Sequence, residues 1–149
     1  MITVLRRIAL GAALAGALAP AAQAQSADSP VGLWRTIDDE TKQSKALIRI
    51  VEQGGALVGR IERILVGAAD AVCEQCTDHR KGQPVQGMTI LSGLRKDGEA
   101  WGGGEILDPK NGKVYKAKVS IAEGGRRLDV RGFVGVAAFG RTQTWLREQ

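Results

Sequence analysis

Two cysteines and the single histidine fall close together, as Cys73-Glu74-Gln75-Cys76 followed by His79, and this cluster holds the most reactive side chains of the sequence. Three such ligands fall short of a closed zinc site, which normally takes four. A C-x-x-C pair becomes a redox centre when its first thiol opens a helix after a strand of a βαβ unit, where the helix dipole lowers the thiol pKa; no such pattern precedes Cys73. The third reading is a disulfide that pins a loop, with a chain-entropy contribution of only about 2 kcal/mol for so short a ring. A structural Cys73–Cys76 bridge is the expectation, and metal binding and redox activity are its alternatives. Other catalytic groupings do not occur in the sequence: there is no G-x-S-x-G, no P-loop spacing, and a triad would have to be built on His79 alone. No catalytic residue, metal or cofactor is therefore assigned, and Asp108 reads as a turn cap rather than an acid. Glu105, Tyr115, Arg131 and Gln143 are polar or amphipathic residues inside otherwise alternating segments, and those that face inward can hold a ligand's head group. For Glu105 and Gln143 the alternation does not settle the face.

The elements that position these residues repeat one pattern of short strand and tight turn. Its plainest instance is 99–121, where Asp108, Pro109, Asn111 and Gly112 supply the turn and Tyr115, Ala117, Val119 and Ile121 then alternate with Lys116, Lys118 and Ser120. Upstream, strands are predicted over 31–37, 45–52 and 56–66, with Ala46, Ile48 and Ile50 opposed to Arg49, and Leu57, Gly59 and Ile61 opposed to Arg60 and Glu62. The rhythm stops over 67–87, where 68–72 can form a helical turn; connections of this length are usually functional or disordered. It resumes over 88–94, turns at Asp97-Gly98 into the central hairpin, and ends with strands over 126–134 and 140–147, the former with Leu128 and Val130 inward.

Eight consecutive antiparallel strands in an open sheet would leave two long unpaired edges, and closure removes them. The predicted fold is therefore all-β, an eight-stranded antiparallel up-and-down barrel, whose interior side chains can fill or which can hold one small ligand. The Gly102-Gly103-Gly104 run allows the bulges that closure requires.

The first 24 residues carry the parts of an export signal in order: Arg6 and Arg7, an apolar stretch over 8–19, and Ala22-Gln23-Ala24 before a cleavage point. The apolar run is shorter than a membrane-spanning helix and breaks at Pro20, so cleavage after Ala24 is expected, with a single domain over 25–149 in the periplasm or secreted. The formal charge of +5 loses two units with Arg6 and Arg7. What remains is an ordinary surface, with acids interleaving the bases and 4% aromatic residues, unlike a nucleic-acid reader.

Gly32-x-Trp34 matches the G-x-W opening of lipocalin-like barrels, in which the Trp closes one end and an Arg of the last strand lies over its ring; Arg141 and Arg147 are the available partners. Trp34 lining a pocket is the alternative. Further blocks carry a wider resemblance: Gly59-Arg60-Ile61, the Cys pair, Pro84-x-x-Gly87-x-x-Ile90-Leu91, Trp101-x-Gly103-Gly104-x-Ile106-x-Asp108-Pro109-x-x-Gly112-Lys113-x-Tyr115, Arg131-Gly132, and Gly140-Arg141-Thr142-Gln143-x-Trp145-x-Arg147. Together they resemble the bacterial family DUF2147, with Leu107 where Tyr is expected and Val58 where a Cys often stands. The resemblance implies an exported lipocalin-like barrel and supplies no catalytic residues. The resulting expectation is a periplasmic barrel that binds a small, partly apolar molecule without transforming it. The alternative is a structural or protein-interaction module of the cell envelope, with a solid interior and 67–87 as its contact surface.

Overall fold

A computed structural model describes residues 26–149; the expected export signal lies outside them. Eight strands follow one another, β1 (Gly32–Ile37), β2 (Ser44–Gln53), β3 (Ala56–Ile64), β4 (Thr89–Asp97), β5 (Ala100–Asp108), β6 (Lys113–Ala122), β7 (Arg127–Phe133) and β8 (Arg141–Arg147). Each pairs antiparallel with the next, and β8 returns to β1 through Trp34↔Arg147, Arg35↔Leu146 and Thr36↔Trp145, closing the barrel in the order of the sequence. Two short 3-10 turns, Glu123–Gly125 and Ala137–Phe139, are the helical elements among the described residues. Residues 68–72 form no helix, only an Ala71-to-Ala68 turn. β3 stops at Ile64, two residues before the predicted end, because the N–H groups of Leu65 and Val66 turn to the Lys45 carbonyl. β4 runs on to Asp97, past the predicted end at 94.

Period-two patterning sends one face of every strand inward. Trp34, Ile48, Ile50, Leu91, Leu94, Val119, Leu128, Val130 and Trp145 are each no more than 2% exposed, so the middle of the barrel is packed side chain against side chain. Closure needs sharp coiling, and bulges supply it. β5 gains an extra residue between Trp101 and Gly104, opposite Gly93 of β4, and a side chain on Gly104 would sit 2.2 Å from the Ser92 carbonyl oxygen.

The two ends differ. The base carries the tight β2–β3, β4–β5 and β6–β7 turns together with residues 26–31. The mouth carries the longer connections 38–43, 65–88, 109–112 and 134–140. The longest of these folds back on the outer wall. Ile90 and Leu107 point opposite to their inward neighbours Leu91 and Ile106, yet they are buried in one cluster with Cys73, Cys76 and Met88. The Val72↔Pro84 bridge and the disulfide between Cys73 and Cys76, with Cα atoms 5.5 Å apart, tie this strap into a compact loop.

Candidate functional site

The base is sealed by tryptophans under cations. Trp34 has no exposed surface; its indole N–H donates to the Pro30 carbonyl at 2.7 Å, and the Arg147 guanidinium lies 4.2 Å above its ring centroid. Arg147 also donates to the carbonyls of Gly125, Ser29 and Val31 at 2.6, 2.7 and 3.1 Å, joining the β6–β7 turn to the chain entering β1. Burial pushes its pKa down. Lys96 sits 3.8 Å from the centroid of Trp101 at the same end, the pair flanking the Asp97-Gly98 turn. That second cap was not anticipated from sequence, although its signal, a cation and a Trp directly opposed across a tight turn, was legible.

Trp34 is thus packing rather than pocket, and Arg147 rather than Arg141 covers it. Arg141 lies at the other end, where its Nε donates to Asp39 Oδ2 at 2.9 Å and its Nη2 to the same oxygen. Asp39 holds the Arg141 pKa above its usual value, with Asp108 and Glu40 adding to the effect.

At the mouth the inward positions change character. Ala46, Ile64 and Ile106 are only partly buried, as are Thr36, Tyr115, Gly132 and Gln143; Trp101 and Ile121 are partly buried at the base, and the inward positions midway between the ends, among them Ile48, Leu91, Val119 and Val130, are closed to solvent. The partly buried positions at the mouth outline a shallow cup floored by Trp145, which is 1% exposed. Register fixes who faces it. Gln143 pairs with buried Val130, Thr36 pairs with Trp145, and Tyr115 pairs with Ile106. The Tyr115 ring lies across Gly132, so that a side chain built on that glycine would meet Tyr115 Cβ at 3.5 Å and Ile106 Cγ2 at 3.6 Å.

The polar groups of the cup are partly engaged. Thr36 Oγ1 accepts from the Ala46 N–H at 3.1 Å, tying β1 to β2. The indole N–H of Trp145 donates to Gln143 Oε1 at 3.3 Å, which fixes the amide and leaves its NH2 without a hydrogen-bond partner among the described residues. Tyr115 Oη accepts from Asn111 Nδ2 at 3.2 Å, so its own proton is free to be donated.

Two sequence candidates face elsewhere. The β5 bulge turns Glu105 outward beside Lys116 and Ser92, in a shallow outer groove of about 460 Å³ that Tyr115 also borders. Arg131 faces out and clamps the 134–140 connection, donating to the carbonyls of Ala137 and Ala138 at 2.5 and 3.1 Å and to Thr142 Oγ1 at 2.8 Å. Asp108 caps its turn by accepting from the Lys110 N–H at 2.9 Å. A larger outer groove of about 600 Å³ runs over β2 and β3 past Val51, Val58, Arg60 and Gln86, but its Arg49 and Glu62 bond each other and Gln86 Oε1 accepts from the Ile64 N–H.

Large apolar side chains gather at the mouth. Val134, Val136 and Phe139 are 74%, 58% and 85% exposed on one connection, and Leu65, Val66 and Val72 are exposed on another. Sequence reasoning passed over these residues because single apolar residues in loops carry no pattern; only closure of the barrel gathers them at one end.

The family model for DUF2147, described as an uncharacterized protein conserved in bacteria, matches residues 32–147. The chain belongs to this family. Within DUF2147 the matched span runs from the first strand to the last and takes in base, cup and strap alike. Among solved structures, this DUF2147 chain is similar to protein HP1028 from the human pathogen Helicobacter pylori, described as belonging to the lipocalin family. The TM-score is 0.71 and the identity 19%, over 81% of this chain and 84% of that chain. At that identity the likeness establishes a lipocalin-like fold and nothing finer. No curated protein matches the chain. Among the described residues no helix is long and apolar enough to cross a membrane, and no three His, Cys, Asp or Glu residues are grouped to hold a metal ion.

Proposed function

We propose that this protein binds a small, partly apolar molecule in the cup at the mouth of its barrel, in the bacterial periplasm, without transforming it. The observation that carries the reading is the difference between the two ends. One end is shut by Trp34 under Arg147, while the other has partly open inward positions and carries exposed Val134, Val136 and Phe139 on the 134–140 connection. A concave apolar surface with a few convergent polar groups is the usual form of a small-molecule site. The cup is shallow because the core below it is solid, so the ligand's far end would rest against the apolar rim. Export is supported by the pattern of the first 24 residues and by a buried disulfide, which persists in oxidising compartments.

The test is saturable binding of the neutral apolar dye N-phenyl-1-naphthylamine to the purified protein, with native mass spectrometry against a lipid and metabolite panel alongside. A one-to-one complex is expected. Ala46→Phe, which fills the cup from β2, abolishes it while leaving the melting transition in place. If neither dye nor panel binds, or if Ala46→Phe leaves binding intact, the cup is not a ligand site.

A further inference from the structure

The register of β2 and β3 sets two like pairs side by side on the outer face of the wall. Val51 is paired with Val58, and Arg49 with Arg60, two residues or about 7 Å further along the strands. All four line the outer groove of about 600 Å³. An arginine directly opposite an arginine is an unfavourable pairing in a sheet, because it holds like charges on Cβ atoms about 5 Å apart. The fold offsets one of the two. Arg49 donates through Nε and Nη2 to the two oxygens of Glu62 at 2.7 and 3.2 Å, whereas exposed Arg60 makes no side-chain hydrogen bond or ion pair among the described residues.

The neighbouring elements do not supply the missing anion. Glu62 is the extra residue of a β3 bulge and is already bonded to Arg49; Arg63, exposed beside it, adds to the positive field on the same carboxylate. On β1, Arg35 has Glu148, and at the mouth end of β2, Lys45 has Asp38. On β4, Arg95 donates to the Gly54 carbonyl at 3.2 Å, with Asp97 two residues on. Glu52 alternates with Val51 and Gln53 and so points to the other face. The face therefore holds Arg49, Arg60, Arg63 and Arg95 against Glu62 and Asp97.

A single carboxylate arriving here would engage Arg60 as an ordinary exposed pair, a weak interaction in water. A phosphate monoester carries nearly two charges and three acceptor oxygens, so one group can take Arg60 bidentately and also Arg49 Nη1, the nitrogen that Glu62 leaves open. From this juxtaposition we infer that the outer groove over β2 and β3 is a second binding site, for a phosphate monoester on an apolar body, with the phosphate across Arg49 and Arg60 and the body along Val51 and Val58. The site is separate from the cup and stands or falls without it.

The experiment is titration of the purified protein at pH 8 with decyl phosphate below its micelle concentration, with decanoate and with inorganic phosphate, followed by amide chemical shifts. Shifts are expected over 47–53 and 56–63, and decyl phosphate is expected to bind on the order of ten-fold more tightly than either comparator. Arg60→Gln, an exposed change expected to leave the melting transition in place, weakens decyl phosphate several-fold. Glu62→Gln frees Arg49 and strengthens it, and Ala46→Phe, which fills the cup, leaves it unchanged. Shifts at Thr36, Ala46 and Gln143 instead, affinity indifferent to Arg60→Gln, or a comparator binding as tightly as decyl phosphate overturns the groove as a site, whatever the outcome of dye binding in the cup. Sedimentation of the protein with phosphatidic acid vesicles, without binding of decyl phosphate, would make this face a membrane contact and refute the single-molecule site.

Discussion

At the scale of single residues, two arginines of the last strand that look interchangeable in sequence have different roles. Arg147 is held by an aromatic face and three backbone carbonyls, and it links the two chain segments that close the base. Arg141 makes an exposed pair with Asp39, its side chain 69% accessible. Removing a guanidinium leaves those carbonyls unpaired and uncovers the Trp34 ring, so Arg147→Ala is expected to cost about 2 to 3 kcal/mol in urea unfolding. Arg141→Ala is expected to cost less than about 1 kcal/mol, the range of an exposed ion pair. Equal losses would mean that the base is not held by Arg147. The rank order was beyond sequence reasoning, because both arginines sit at inward parity on β8 and differ only in which end of the barrel they reach.

At the scale of elements, the strap over 67–87 is the part with least regular structure and the clearest dependence on its covalent tie. It buries Ile90 and Leu107 on the outside of the wall, and it packs on the β5–β6 turn so closely that a side chain on Gly112 would sit 1.8 Å from the Gln75 carbonyl oxygen, at a φ of +71° that L residues rarely adopt. Reduction of the disulfide is expected to lower stability by about 2 kcal/mol and to speed amide exchange over 71–88, with strands β6 to β8 unchanged. Acceleration spread evenly over the barrel would show that the strap is not a separate unit. Gly112→Ala is expected to produce the same local loosening with the disulfide intact, because strap and turn can no longer meet. Sequence reasoning placed this connection correctly as the break in the strand rhythm. It did not show that the loop covers outward-facing apolar residues, since Ile90 and Leu107 disobey the alternation and read only as extra hydrophobicity beside Leu91 and Ile106.

At the scale of the whole molecule, stability against acid sums over carboxylates held in loops and across strands. Asp38 accepts from the N–H and hydroxyl of Thr41 and from Lys45, which hold its carboxyl well below the usual range. Asp78 is lowered to about 2, by the Arg80 side chain first and its N–H second. Glu62 is lowered mainly by its hydrogen bond from Arg49. All three pKa values are depressed in the folded state, so the unfolded chain takes up protons first as pH falls. Their contribution is complete above about pH 5, and it is lost from there down through the folded values. The melting temperature is expected to be level between pH 8 and about 5 and to fall below about 4, with Asp78→Asn showing a shallower acid slope. A midpoint that already declines between pH 8 and 5 would place the sensitivity on other groups.

The order of strands, their number, their closure and the turn residues between them follow from sequence alone, because period-two burial and tight turns are local properties that each segment states for itself. Which residues form the cup did not follow, and the reason is bulging. One inserted residue between Trp101 and Gly104 reverses the parity of everything after it on β5, sending Glu105 outward and Ile106 inward. Likewise, only the closure of β8 on β1 puts Arg147 over Trp34 at the base and leaves Arg141 at the mouth, the end that carries exposed Val134, Val136 and Phe139. Alternation is written into a strand, but the face it presents is settled by pairing between segments far apart in the chain.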